Sequence, residues 1–271
     1  RKKQKLDYLR SLADVYRVTA KKEESRDTFL EVIPLAEELG ESFLLGRMLT
    51  SLAKVYQMLN KYPEALEYCG RSVDVCLAGG DKAGAARCLL TSSRIYFFTG
   101  KMAEAVADTT RALELARDAE VKSYIGEALG FVGYIYVASD PDKIQEGIDN
   151  LNQSVTILTE VGDKIGLNTS YNLMGNGQNA QGDFEDAWES FQKNLKICTE
   201  IGLKDEEIFA ILNLSITAFE LGNFGESAKI AKDANTLANS MNAKFPLAMA
   251  LTLEAVGKVY LGELGQAKDL A

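Results

Sequence analysis

The string Gly100-Lys101-Met102-Ala103-Glu104-Ala105 is written again as Gly182-Asp183-Phe184-Glu185-Asp186-Ala187, Gly222-Asn223-Phe224-Gly225-Glu226-Ser227 and Gly262-Glu263-Leu264-Gly265-Gln266-Ala267. An Asn-headed copy stands at Asn60-Lys61-Tyr62-Pro63-Glu64-Ala65. The starts at 60, 100, 182, 222 and 262 are 40, 82, 40 and 40 apart. The double step hides one more copy, Asp142-Lys143-Ile144-Gln145-Glu146-Gly147. A fixed period of this size is the mark of one small unit repeated and stacked, because no single unit can bury its apolar face alone.

Each copy reads as a turn between two helices. Gly or Asn tolerates the left-handed conformation that closes a helix. An apolar residue two positions on (Tyr62, Met102, Ile144, Phe184, Phe224, Leu264) plugs the corner. An acidic residue then falls in the first turn of the next helix in most copies, where the macrodipole favours it. A small residue follows (Ala65, Ala105, Gly147, Ala187, Ser227, Ala267), which lets two helices approach closely.

Between the turns, the spacing Leu6, Leu9, Leu12, Ala13, Tyr16 recurs as Leu49, Leu52, Ala53, Tyr56 and as Leu89, Ser92, Ser93, Tyr96, one face of a 3.6-residue helix. No stretch alternates like a half-buried strand. The expected class is all-α: a right-handed superhelical solenoid of antiparallel helix pairs over residues 1–271. Its units fall at about 5–40, 44–80, 84–119, 122–162, 166–202, 206–242 and 246–271. The chain opens on Arg1 and the last unit stops inside its second helix, which suggests a fragment of a longer protein. Three departures stand out. The first unit has Ala20 to Ser25 where the others have their turn. Pro34 falls inside a second helix and should kink or break it. Asp140-Pro141 adds two residues to the fourth corner.

Net charge is −9, unevenly spread: residues 1–100 hold 16 basic and 13 acidic side chains, and the remainder 14 and 26. An acidic chain is poorly suited to nucleic acid, whose binding depends on neutralising phosphates. The basic opening, Arg1 to Lys5, reads as a solvated linker. No apolar run approaches the about 18 residues needed to cross a bilayer, and no signal peptide is visible. Cys69, Cys76, Cys88 and Cys198 lack metal or redox spacing and read as buried reduced thiols, which fits a cytoplasmic location.

The chain has no histidine, which removes Ser-His and Cys-His chemistry and His-bearing metal sites. Gly175-Asn176-Gly177-Gln178-Asn179-Ala180 matches a dinucleotide fingerprint, but it lies inside a predicted helix instead of after a strand. Asp183, Glu185 and Asp186 open a helix and need no metal. Trp188 reads as packing. No cofactor and no catalytic residue is assigned.

The units resemble tetratricopeptide repeats, on the small residue before an aromatic (Ala13/Tyr16, Ala53/Tyr56, Ser93/Tyr96, Gly133/Tyr136), the turn string, and Phe29, Phe191 or Ala231 in the second helix. The period and the links at 80–82 and 162–164 resemble the longer-helix branch, which holds kinesin light chains, spindle-orientation scaffolds and bacterial signalling sensors. The resemblance implies a concave wall lined by the first helix of each unit. On that wall would stand Arg10, Asp14, Arg17, Arg47, Lys54, Gln57, Arg87 and Arg94, then Phe131 and Tyr134, then Asn172, Asn176, Asn179, Asn213 and Phe219. Arginine holds carboxylates bidentately, and asparagine can both donate to and accept from a peptide backbone. The expected role is a protein-interaction module for a peptide or partner with an acidic segment; the alternative is a ligand- or signal-peptide-sensing arm of an ATPase, cyclase or transcription regulator. The family's carboxylate clamp is half absent, because Met249 and Leu253 stand where its cations would be.

Overall fold

The computed structural model describes residues 1–19 and 21–270. Among them are fourteen α-helices, one turn of 3-10 helix and no strand. Arg1–Ala128 and Leu129–Ala271 form two compact units. The first contains α1 (Lys2–Val18), α2 (Lys22–Glu38), α3 (Ser42–Met58), α4 (Tyr62–Ala78), α5 (Lys82–Phe98), α6 (Met102–Asp118) and the start of α7 (Lys122–Ser139). The second contains the rest of α7, then α8 (Ile144–Glu160), α9 (Lys164–Gln181), α10 (Phe184–Ile201), α11 (Lys204–Glu220), α12 (Phe224–Ser240), α13 (Lys244–Tyr260) and α14 (Leu264–Leu270).

The turn strings set the helix boundaries. Tyr62, Met102, Ile144, Phe184, Phe224 and Leu264 are each the first residue of a helix. Gly182 adopts φ 85° and Asn60 φ 57°, the left-handed geometry that ends a helix. At Gly182 the pattern is complete: its N–H donates to Asn179 O at 3.1 Å, and that of Asp183 to Gln178 O at 2.9 Å. Asp81 and Asp163 cap α5 and α9 by accepting from the N–H of Gly84 and Gly166, at 2.8 and 2.9 Å.

Sequential helices pack on one another: α1 through α5 in order, and α5 on α6, in the first unit; α8 through α14 in order in the second. First helices also touch, α1 with α3, α3 with α5, and α11 with α13. In the first unit Leu6, Phe29, Val32, Met48, Leu49 and Leu52 are buried between them. Within a pair the small residues meet, and a serine there donates across the gap: Ser25 Oγ to Ala13 O and Ser93 Oγ to Ala105 O, both at 2.8 Å, and Ser215 Oγ to Ser227 O at 2.9 Å. The four cysteines are free and buried.

Two expectations change. Pro34 does not break its helix: α2 runs through it to Glu38, with Pro34 turned to solvent while Val32, Ile33 and Ala36 are buried and hold the helix down. Arg1 to Lys5 is no linker. α1 begins at Lys2, and Lys2 and Lys5 pair with Glu38 and Glu31 of α2 and Lys3 with Glu41 at the start of α3, the last two pairs at 2.9 and 2.8 Å. The first unit's unusual turn includes Ala20, which lies outside the described residues. At the fourth corner, Pro141–Lys143 form the 3-10 turn, with Asp140 accepting from the N–H of Asp142 at 3.2 Å.

Candidate binding face of the first helices

In the first unit the cations expected on the wall stand on α1 (Arg10, Arg17), α3 (Arg47, Lys54) and α5 (Arg87, Arg94). Arg10, Arg17, Arg47 and Arg87 line one depression of about 150 Å³, together with Asp14 and Ser51; Phe29, Leu44 and Met48 contribute its apolar lining. Asp14 sits 3.3 Å from the Arg17 guanidinium, and Arg94 is paired with Glu127. The Nε atoms of Arg10 and Arg17 are buried and have no acceptor among the described residues. Arg47 lies over the Phe43 ring, 5.8 Å from its centroid.

Lys54 lies partly buried beside these cations. Burial lowers its pKa from the usual 10.5, and the charges of Arg87, Arg94 and Arg17 lower it further, against an opposing pull from Glu127. A lysine with a depressed folded pKa leaves the unfolded chain holding more protons, so its contribution to stability rises with pH until the unfolded lysine also deprotonates. Lys54→Met is therefore expected to stabilise the protein at pH 7, with a gain that shrinks as pH approaches 10.5. Urea denaturation at the two pH values measures this; a pH-independent difference would show that Lys54 carries no electrostatic penalty.

In the second unit the amides are spent largely on each other. Asn213 Nδ2 donates to Asn172 Oδ1 at 2.9 Å, Asn176 Nδ2 to Asn172 O at 2.8 Å, and Asn179 Nδ2 to Thr217 Oγ1 at 3.0 Å. The Asn213 and Asn179 bonds tie α9 to α11, and the amides of Asn179 and Asn213 each have a second N–H to offer. Sequence reading missed the buried pair beneath them, Asn194 Nδ2 donating to Asn168 Oδ1 at 2.6 Å. Tyr134 is partly buried, and burial raises its phenol pKa. Phe131, expected on the wall, is buried instead. Phe219 packs on Phe224 and Tyr260, at 5.1 and 4.9 Å between ring centroids. Met249 and Leu253 are packed against the core, as befits apolar residues in the clamp positions.

A second cavity, of about 230 Å³, lies among Val137, Ile148, Leu151, Met174 and Gln178. Its sequence signal is Gln178, which stands where Tyr16, Tyr56, Tyr96 and Tyr136 stand in earlier repeats. The amide, bonded to Ser190 Oγ at 2.7 Å, does not fill a ring's volume. Gly175 to Ala180 lies within α9, so the fingerprint-like string forms no phosphate loop. No helix among the described residues is long and apolar enough to cross a membrane.

No curated protein sequence matches the chain. Among solved structures, it is similar to a signal-transduction ATPase with numerous domains and a tetratricopeptide repeat sensor from Pyrococcus horikoshii, at 19% identity and a TM-score of 0.67. The match covers 96% of this chain but 41% of that one, so the chain spans about two fifths of that protein's length. It is similar to a Rap protein complexed with competence and sporulation factor (13% identity, TM-score 0.65, 97% and 76% covered). A putative kinesin light chain with nearly identical repeats from Podosopora anserina also matches (18% identity, TM-score 0.53, 72% and 96% covered). The sequence model of the tetratricopeptide repeat family matches residues 44–118. Residues 44–118 are similar to tetratricopeptide repeats, and the chain as a whole shares the helix-pair solenoid fold of these structures.

Proposed function

We propose that the chain is a non-catalytic protein-interaction module whose α1, α3 and α5 hold an acidic segment of a partner protein. One observation carries this reading: six cations face two carboxylates, Asp14 and Glu127, on one face of a chain whose net charge is −9. An isolated stability role does not explain such a concentration, since like charges side by side repel. A partner carboxylate would meet guanidiniums suited to bidentate binding. The second N–H of Asn179 and of Asn213 supplies a further contact for an extended backbone. The fold match to a repeat sensor and to a Rap protein bound to a factor supports a regulatory setting, in which the module acts as the sensing arm of a larger signalling protein.

The test is a titration with a glutamate-rich peptide and its glutamine-rich counterpart. The native chain is expected to prefer the glutamate peptide, more strongly at low salt. Changing Arg47, Arg87 and Arg94 to Glu is expected to weaken that binding at least about 100-fold, since like-charge juxtaposition costs several kcal/mol. Equal affinity for native and variant would remove this face as the binding site.

A further inference from the structure

We propose that the depression between α1, α3 and α5 receives a phosphoryl group carried on a serine or threonine of the partner segment. This rests on the reading of that face as one for an acidic segment and specifies which acid it takes. The cations are not spread evenly along the face: four guanidiniums converge on one hollow of about 150 Å³, and the single carboxylate there, Asp14, is engaged with Arg17. Arg10, Arg47 and Arg87 have no ion pair among the described residues. A side-chain carboxylate brings one charge and two oxygens. A phosphoserine or phosphothreonine brings about −1.5 to −2 and three strong acceptors near pH 7, which is the better match to three unneutralised guanidiniums.

The hydrogen-bond account points the same way. A buried donor without an acceptor is costly, and two such donors, the Nε groups of Arg10 and Arg17, belong to residues lining this hollow. An anion with several oxygens brings acceptors to these two residues while bridging Arg47 and Arg87. The Ser51 hydroxyl offers a neutral donor beside them. The pKa of Lys54, lowered first by burial, is lowered further by Arg87, Arg94 and Arg17.

The experiment uses degenerate peptides with a fixed central serine, phosphoserine or glutamate in an otherwise shared acidic background, titrated calorimetrically into the native chain, Arg10→Gln and Arg87→Gln. The phosphoserine set is expected to bind at least tenfold tighter than the serine set and tighter than the glutamate set. That advantage should shrink near pH 5, where the phosphate takes up its second proton (pKa about 6). Both variants should lose the phosphoserine advantage over the serine set, with unchanged circular dichroism; Arg47→Gln serves if either fails to fold. Phosphoserine binding no tighter than glutamate overturns the phosphoryl assignment and leaves the acidic-segment reading intact. No binding of any set overturns both. Inorganic phosphate binding as tightly as the phosphopeptides, or anionic phospholipid vesicles displacing them, overturns the assignment to a partner protein segment.

Discussion

Phe191→Ala is expected to destabilise the second unit by about 3–5 kcal/mol, the range for removing a buried phenylalanine. Phe191 is fully buried on α10 among Ala187, Leu214, Trp188, Leu195 and Ile230. Its ring fills the space that Gly175 leaves empty on α9: a Cβ at Gly175 would stand 2.7 Å from two ring atoms. Losing the ring therefore opens a hole that neither helix can close with a side chain of its own. Urea denaturation followed by circular dichroism gives the magnitude. The same geometry makes the pair non-additive. Gly175→Ala should cost stability in the native background by overpacking, and should cost less or even stabilise once Phe191 is Ala, because neighbours in contact couple. Strict additivity would mean the ring and the glycine do not share that space.

Gly133→Val is expected to cost more than about 3 kcal/mol, at or beyond the upper end for overpacking. A Cβ on Gly133 would lie 2.6 Å from the Gly147 carbonyl oxygen, and one on Gly147 would lie 2.6 Å from that of Gly133. The obstacle is backbone on both sides, so no rotamer change relieves it, and α7 must move away from α8. Gly225→Ala is the control. It stands in a helix with nothing within 4 Å of the added Cβ, and helix propensity predicts a gain of up to about 1 kcal/mol. Similar losses at both positions would contradict the close approach of α7 and α8.

The architecture was legible because its signals are local. A glycine or asparagine at φ above zero and an apolar plug two residues on act within six residues, and they placed the starts of α4, α6, α10, α12 and α14; α8 starts at its plug, Ile144, after a 3-10 turn. What stayed hidden depends on residues far along the chain. Lys2 finds Glu38 and Lys164 finds Glu200, each 36 residues away, so a basic opening that reads as a linker is the closing edge of a hairpin. Asn179 bonds Thr217 and Asn213 bonds Asn172 across a whole repeat, so a row of wall amides turns out to be half occupied by its own neighbours. Phe131 follows the helical phase of a surface position, yet packing buries it. The convergence of Arg10, Arg17, Arg47 and Arg87 on one hollow has the same origin: three helices bring together residues that periodicity could only assign to a common face.

A charge-swap titration addresses the basic face most directly. Native chain and Arg47→Glu/Arg87→Glu are each titrated with a glutamate-rich peptide and a lysine-rich counterpart of equal length. If the α1–α3–α5 face is where a partner segment lies, the native chain prefers the glutamate peptide and the variant prefers the lysine peptide. The same order of preference in both proteins would place binding elsewhere and contradict the account.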